Sequence, residues 1–92
     1  MAVIAIEQKP TLRRVDAAER RAIREWEHLY PDLWLFIEVT HEDEWGVYEG
    51  KLVATAEDPF EFLELDKSYS ASGIVTLETH GEYSEPQPAF VG

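Results

Sequence analysis

The residues of this chain that are best suited to chemistry lie together at His41, Glu42, Asp43 and Glu44. Three carboxylates and an imidazole could hold a divalent cation, because carboxylate oxygens and imidazole nitrogens are common ligands of such ions. The sequence lacks the spacing of a calcium-binding loop, however, and adjacent side chains in a turn do not all converge. We therefore predict a solvated acidic turn, with a metal site and a metal-assisted hydrolase built on it as the alternative.

Other patterns typical of catalysis are missing from the sequence. Nucleophilic catalysis needs a serine or cysteine beside a base, but the chain has no cysteine and no serine in a Gly-x-Ser-x-Gly elbow. The glycines are scattered and form no phosphate-binding loop. We therefore predict that the protein is not an enzyme and uses no cofactor.

Aromatic residues point to binding rather than to catalysis. The chain has three tryptophans, four tyrosines and four phenylalanines, and aromatic side chains are favoured at protein interfaces. Trp45 follows the acidic turn directly, and it either packs in the core or forms an exposed anchor beside the carboxylates. The residues that we predict to contact a partner are Glu42, Asp43, Glu44 and Trp45 around the turn, with Tyr83 and Phe90 in the C-terminal tail.

Charge limits the kinds of partner. The 92-residue chain has a formal net charge of −11 at pH 7, with a balance of +3 over residues 1–24 and −14 over residues 25–92. Nucleic acids and anionic membranes repel a protein of this charge, so we predict no direct binding to either. The basic first segment could lie on the acidic remainder of its own chain or on that of a second copy.

We expect no targeting segment at the N-terminus. Residues 1–6 are apolar, but Glu7 ends this run before a signal-peptide core or a membrane span would be complete. We therefore expect the protein to be cytoplasmic.

The elements that position these residues are organised around the apolar run at 33–39. Five successive apolar residues favour a strand that is covered on both faces, and therefore a central one. Two short alternating runs follow at 45–49 and 51–56. We predict that they form a hairpin turned at Glu49-Gly50, because glycine readily takes the positive φ that tight turns need.

Two helices and two further strands complete the prediction. Asp16 and Glu19 have the spacing of a capping box, which predicts a helix from Asp16 that ends before Pro31. Asp58, Pro59 and Glu61 predict the start of a second helix in the same way, ending in a polar loop at 68–73. Residues 2–6 and 74–79 read as strands.

Together these elements predict one small α+β domain over residues 1–92. Its sheet is three- to five-stranded and largely antiparallel, with two helices in the order β-α-β-β-β-α-β. An N-terminal arm spans residues 1–10 and a proline-containing tail spans residues 82–92.

The middle of the chain resembles a known family. Tyr48-Glu49-Gly50-Lys51-Leu52-Val53-Ala54 leads into a capped helix, a glycine and a final Ile-Val strand. This order resembles the small bacterial and archaeal proteins of the domain of unknown function DUF5678. The resemblance covers about a third of the chain, roughly from Trp45 to Leu77, whereas the basic first helix and the tail depart from it. It implies the fold and no particular activity.

Two functions of different classes follow from these features. The first is a small acidic protein-interaction module that is cytoplasmic, homodimeric and non-catalytic and binds another protein. The alternative is an acidic decoy, antitoxin-like or anti-defence, that occupies the basic nucleic-acid-binding groove of a partner protein.

Overall fold

The apolar run at 33–39 lies at the centre of the sheet, as predicted. The computed structural model describes residues 10–46 and 48–84. In it β3 (Trp34–Glu42) pairs antiparallel with β4 (Tyr48–Ala56) on one side and with β5 (Thr76–His80) on the other. Two strands of two residues, β1 (Arg13–Arg14) and β2 (Arg21–Ala22), pair antiparallel with the outer side of β4.

Two helices complete the fold. Helix α1 (Ile23–Leu29) precedes β3, and a 3₁₀ helix (Pro59–Phe62) continues into α2 (Leu63–Ala71) between β4 and β5. The prediction of an α+β fold with two helices and a largely antiparallel sheet is therefore confirmed. In the described part of the chain, no helix is both long and apolar enough to span a bilayer.

Each face of the sheet is packed against one helical segment, and β3 is therefore buried on both faces. On one face Trp26 of α1 packs on three sheet residues, which are Leu35, Ile37 and Leu52. On the other face Phe62 packs against Phe36, Val53, Ala54 and Ala56. The small alanines leave room for Phe62, and burial of a side chain of this size stabilises the fold by about 2–3 kcal/mol.

The predicted first helix is wrong over its first half, because α1 begins at Ile23 rather than after Asp16. The backbone N–H groups of Val15 and Asp16 donate to the carbonyl of Val53, at 2.8 and 3.0 Å, and Asp16 has a φ of +46°. Pairing with β4 thus replaces the capping box that the sequence suggested. The end of the helix before Pro31 is confirmed.

The predicted hairpin at Glu49-Gly50 is also wrong. Tyr48 to Ala56 form one strand, and Gly50 is a buried residue inside it. A Cβ atom at Gly50 would lie 2.4 Å from the carbonyl oxygen of Glu38, so this glycine permits close approach of β3 rather than a turn. The turn lies instead between β3 and β4, and β3 continues through His41 and Glu42, which the sequence predicts to lie in the turn.

The second helix starts as predicted but is capped differently. The side chain of Asp58 accepts a hydrogen bond from the N–H of Phe60 at 2.9 Å, as an N-cap does. Glu61 does not complete a capping box. Its carboxylate accepts hydrogen bonds from the hydroxyl and N–H of Thr11 and from the N–H of Leu12, and these bonds lower its pKa.

The remaining boundaries differ by a few residues. Helix α2 continues to Ala71, into the segment that we predicted to be a loop, and β5 covers Thr76–His80 rather than 74–79. The predicted strand at 2–6 and the tail from residue 85 lie outside the described residues.

Candidate functional site

The predicted acidic turn forms the tip of the β3–β4 hairpin. The N–H of Gly46 donates to the carbonyl of Asp43 at 3.0 Å, and Gly46 has a φ of +77°. The Oδ1 atom of Asp43 accepts a hydrogen bond from the N–H of Trp45 at 2.9 Å. An aspartate that bonds the backbone two residues further on is typical of a tight turn. We call residues 42–46 the acidic tip.

Trp45 is the most exposed large apolar side chain of the described residues. The residue is 82% exposed, so the alternative that it packs in the core is wrong. Exposed tryptophan is rare because the indole ring carries a large apolar surface. Asp43 and Glu44 precede Trp45 in the turn, and Glu42 ends β3 just before them.

Tyr48 and Glu49 join the acidic tip across the hairpin. Glu42 pairs with Tyr48, and His41 pairs with Glu49. The Tyr48 hydroxyl donates to Oε1 of Glu42 at 3.3 Å, and the negative charge of Glu42, together with this bond, raises the pKa of Tyr48. These two residues could not be found from the sequence, because only the true strand register shows which side chains lie opposite the turn.

A groove borders the acidic tip on the side of α1. Its volume is about 470 Å³, and its lining comprises Ala22, Ile23, Arg24, Glu27, Gly46 and Tyr48. The groove combines an aliphatic wall with one cation, one carboxylate and a phenol.

Tyr83 lies at the opposite end of the sheet. Its ring is stacked on that of His80, with 4.2 Å between ring centroids and 9° between planes. His80 in turn forms a T-shaped contact with the ring of Trp34 at the start of β3. Because β3 spans nine residues, Trp34 lies about 27 Å from Glu42. The structure thus separates Tyr83 from the acidic tip instead of bringing the two together, and Phe90 lies outside the described residues.

Several hydrogen bonds hold the chain around Tyr83. Asp32 accepts bonds from the N–H of Ser84, at 2.9 Å, and from its hydroxyl. Glu82 donates its N–H to the carbonyl of Glu27 at 2.9 Å, and its carboxylate lies 3.2 Å from Nδ1 of His28. We call this region, which comprises Trp34, His80 and residues 81–84 with their partners, the anchored end.

No arrangement for metal binding emerges at the acidic tip. Within residues 10–46 and 48–84, no group of three or more His, Asp or Glu side chains is placed to share an ion. Backbone geometry explains this, since His41 and Glu42 lie on a strand and point to opposite faces, whereas Asp43 is engaged in the turn. What the acidic tip offers is an exposed flat ring that follows three acidic residues in the sequence.

Searches against protein families, curated proteins and solved structures find no match to this chain. The resemblance to DUF5678 therefore stays a prediction.

Proposed function

We propose that this chain is a small cytoplasmic protein-interaction module that is homodimeric and non-catalytic. Its acidic tip binds a cationic surface of another protein. One observation carries the proposal, namely that Trp45 is 82% exposed directly after three acidic residues of the sequence, Glu42, Asp43 and Glu44. Burial of an exposed indole on binding is favourable, and tryptophan is enriched among the residues that dominate binding energy.

The charge of the acidic tip favours a cationic partner. A lysine or arginine placed over the indole face of Trp45 gains about 0.5–2 kcal/mol from the cation–π interaction. The same cation would lie near Glu42 and Glu44, neither of which forms an ion pair with another described residue. Acidic or neutral partners gain neither contribution.

A pull-down with matched variants tests this proposal. The tagged full-length chain is incubated with native lysate, and the retained protein is compared among wild type, Trp45→Ala, Glu42→Gln/Glu44→Gln and Tyr83→Ala. We expect Trp45→Ala to weaken binding about tenfold or more, and the double glutamine variant to weaken it chiefly at low salt. Tyr83→Ala is the control and should bind like wild type. Equal retention by all four proteins contradicts a role for the acidic tip.

The acidic decoy is the second candidate, and the spread of negative charge favours it. Carboxylates are not confined to the acidic tip. Partial burial of Glu78 in β5 raises the pKa of its carboxyl, and the nearby negative charge of Asp66 in α2 raises it further. A decoy uses such a distributed field rather than one aromatic ring. The partner of a decoy should therefore be a nucleic-acid-binding protein. Competing nucleic acid and high salt should both release it from the chain, and Trp45→Ala should have little effect on its binding.

A further inference from the structure

The two edges of the sheet differ in how they are covered. The strands lie in the order β1-β4-β3-β5, with β2 also pairing with β4. On one side the outer edge of β4 is therefore occupied by β1, β2 and the backbone of residues 15–17. On the other side β5 pairs with β3, and no strand among the described residues covers its outer edge.

The hydrogen-bonding pattern identifies which groups of β5 face outward. The N–H of Val39 donates to the carbonyl of Val75 at 2.9 Å, and the N–H of Gly81 donates to the carbonyl of Leu33 at 2.8 Å. Since β3 and β5 pair without a register shift, Leu77 and Thr79 face β3 in the same manner. The backbone N–H and C=O groups of Thr76 and Glu78 therefore point away from the sheet.

This edge lacks several of the features that protect edge strands from pairing. Such strands often carry a lysine, a proline or a bulge, but the sequence of β5 is Thr-Leu-Glu-Thr-His and its pairing with β3 is regular. Its single acidic side chain is that of Glu78, which bears on the register of pairing. The chain just before β5 is apolar and exposed, with Ile74 38% and Val75 65% exposed. An edge of this kind is suited to the addition of another strand.

We infer that β5 pairs antiparallel with β5 of a second copy, around a two-fold axis at Leu77, and joins the two sheets into one. In this register Leu77 lies opposite Leu77 of the second copy, and Thr76 lies opposite Glu78. The outward groups of Thr76 and Glu78 then bond each other across the axis.

Charge selects this register over its neighbour. An axis at Glu78 would also satisfy the outward groups, but it would place the two Glu78 carboxylates directly opposite each other, which is destabilising. The axis at Leu77 replaces this repulsion with a contact between two leucines. It also places Val75 opposite Thr79 on the same face, so that the exposed valine is covered.

The inference rests on the homodimer of the proposed function but not on the cationic partner of the acidic tip. The acidic tip is remote from the two-fold axis along the strand, and pairing at β5 leaves Trp45 exposed. Failure of the pull-down and failure of the dimer are therefore separate results.

Cysteine cross-linking of the full-length chain tests the register. The chain has no cysteine, so a single introduced thiol reports its own position. Opposed residues at a non-hydrogen-bonded site have Cα atoms about 4.5 Å apart, within the range of a disulfide. We expect Leu77→Cys to form a covalent dimer on mild oxidation. The matched control is Val75→Cys, whose thiol is more exposed but whose two copies lie about 13 Å apart along the strands.

Proline substitution tests the hydrogen bonds. Thr76→Pro removes an outward N–H without removing a bond to β3, whereas Thr76→Val keeps the N–H group. By mass measurement in solution, Thr76→Pro should raise the dimer Kd about tenfold or more, since both copies lose a bond. Thr76→Val should remain dimeric.

Three results would overturn the inference. They are a wild-type chain that is monomeric at all accessible concentrations, a Val75→Cys protein that cross-links as readily as Leu77→Cys, and a Thr76→Pro protein that is folded and still fully dimeric. In the last two cases a dimer would use another surface, such as the N-terminal arm.

Discussion

Trp45 at the acidic tip and Tyr83 at the anchored end are exposed to a similar degree, by 82% and 73%, but their surroundings differ. The ring of Tyr83 lies on His80, which contacts Trp34 and so connects it to the sheet. No ring of the described residues stacks on Trp45. An exposed aromatic side chain that is held in place by its own fold needs no partner, whereas one that is not held offers its full surface to another molecule.

The backbone shows the same contrast. At the anchored end, the N–H groups of Asp32, Gly81 and Glu82 all donate to carbonyls of distant segments. At the acidic tip, the turn is closed by bonds within residues 43–46. We therefore expect substitutions at the anchored end to reduce stability, and substitutions at the acidic tip to change binding with a smaller effect on stability.

The largest expected effect comes from a pair of glycine substitutions. A Cβ atom at Gly81 would lie 1.9 Å from the carbonyl oxygen of Tyr30, which is backbone and cannot move aside, whereas a Cβ at Gly46 meets nothing within 4 Å. Gly81→Ala should lower the free energy of unfolding by about 3 kcal/mol. Gly46→Ala should lower it by about 1 kcal/mol, the cost of a positive φ. Urea unfolding measures both, and equal losses would contradict the contrast.

The aromatic pair should give a smaller difference. Tyr83→Ala removes the stacked ring and should lower the free energy of unfolding by about 1 kcal/mol. Trp45→Ala should leave it within about 0.5 kcal/mol of wild type, as expected of a surface substitution away from packed features. Urea unfolding of the two variants beside wild type measures this. A Trp45→Ala variant that is the less stable of the two would show that the indole serves the fold.

The sheet could be predicted from the sequence where local pattern and tertiary environment agree. The run at 33–39 is apolar on both faces because helical segments cover both faces of β3, and Asp58 caps the second helical segment because its partner N–H is two residues away. Both signals depend on near neighbours or on burial alone. Sequence reasoning is reliable for features of this kind.

The first helix and the hairpin could not be predicted because distant segments decide them. Asp16 and Glu19 have a valid capping pattern, but the carbonyls of Leu52 and Val53 offer competing partners to residues 15–17. Gly50 suggested a turn, although it is required by the close approach of Glu38. A glycine alone does not show whether positive φ or absence of a Cβ is needed.

The candidate site was half predictable for the same reason. Residues 42–45 are consecutive, so any turn brings them together. Tyr48 and Glu49 join them only in the observed register of β3 and β4. Tyr83 and Trp45 are both aromatic and both predicted to contact a partner, but the position of Gly81 beside Leu33 places Tyr83 at the other end of the sheet.

The subtlest expected difference between the two regions is the direction in which pH affects them. The hydroxyl and the N–H of Ser84 donate to Asp32 and lower the pKa of its carboxyl. Because the pKa is lowered, the stabilisation from these two hydrogen bonds is present at pH values above the ordinary aspartate pKa of about 3.9. It is lost as pH falls through the lowered pKa. At the acidic tip, the charge of Glu42 raises the pKa of Tyr48. The neutral Tyr48 hydroxyl is therefore favoured in the folded chain. The stabilisation that it contributes is present below the ordinary pKa of about 10 and is lost as pH rises through the raised pKa.

NMR titration of the Asp32 carboxyl carbon and the Tyr48 ring carbon that bears the hydroxyl separates the two effects. Ser84→Ala should raise the pKa of Asp32 towards its ordinary value and leave the pKa of Tyr48 unchanged. Glu42→Gln should lower the pKa of Tyr48 and leave the pKa of Asp32 unchanged.

The two pKa values should be independent because of distance. The two regions lie about 27 Å apart along β3, and charges are screened over about 8 Å at physiological salt. If either variant shifted the pKa at the opposite end, the two regions would be coupled through the sheet. A ligand at the acidic tip could then influence the anchored end, and the division into a binding end and a stabilising end would fail.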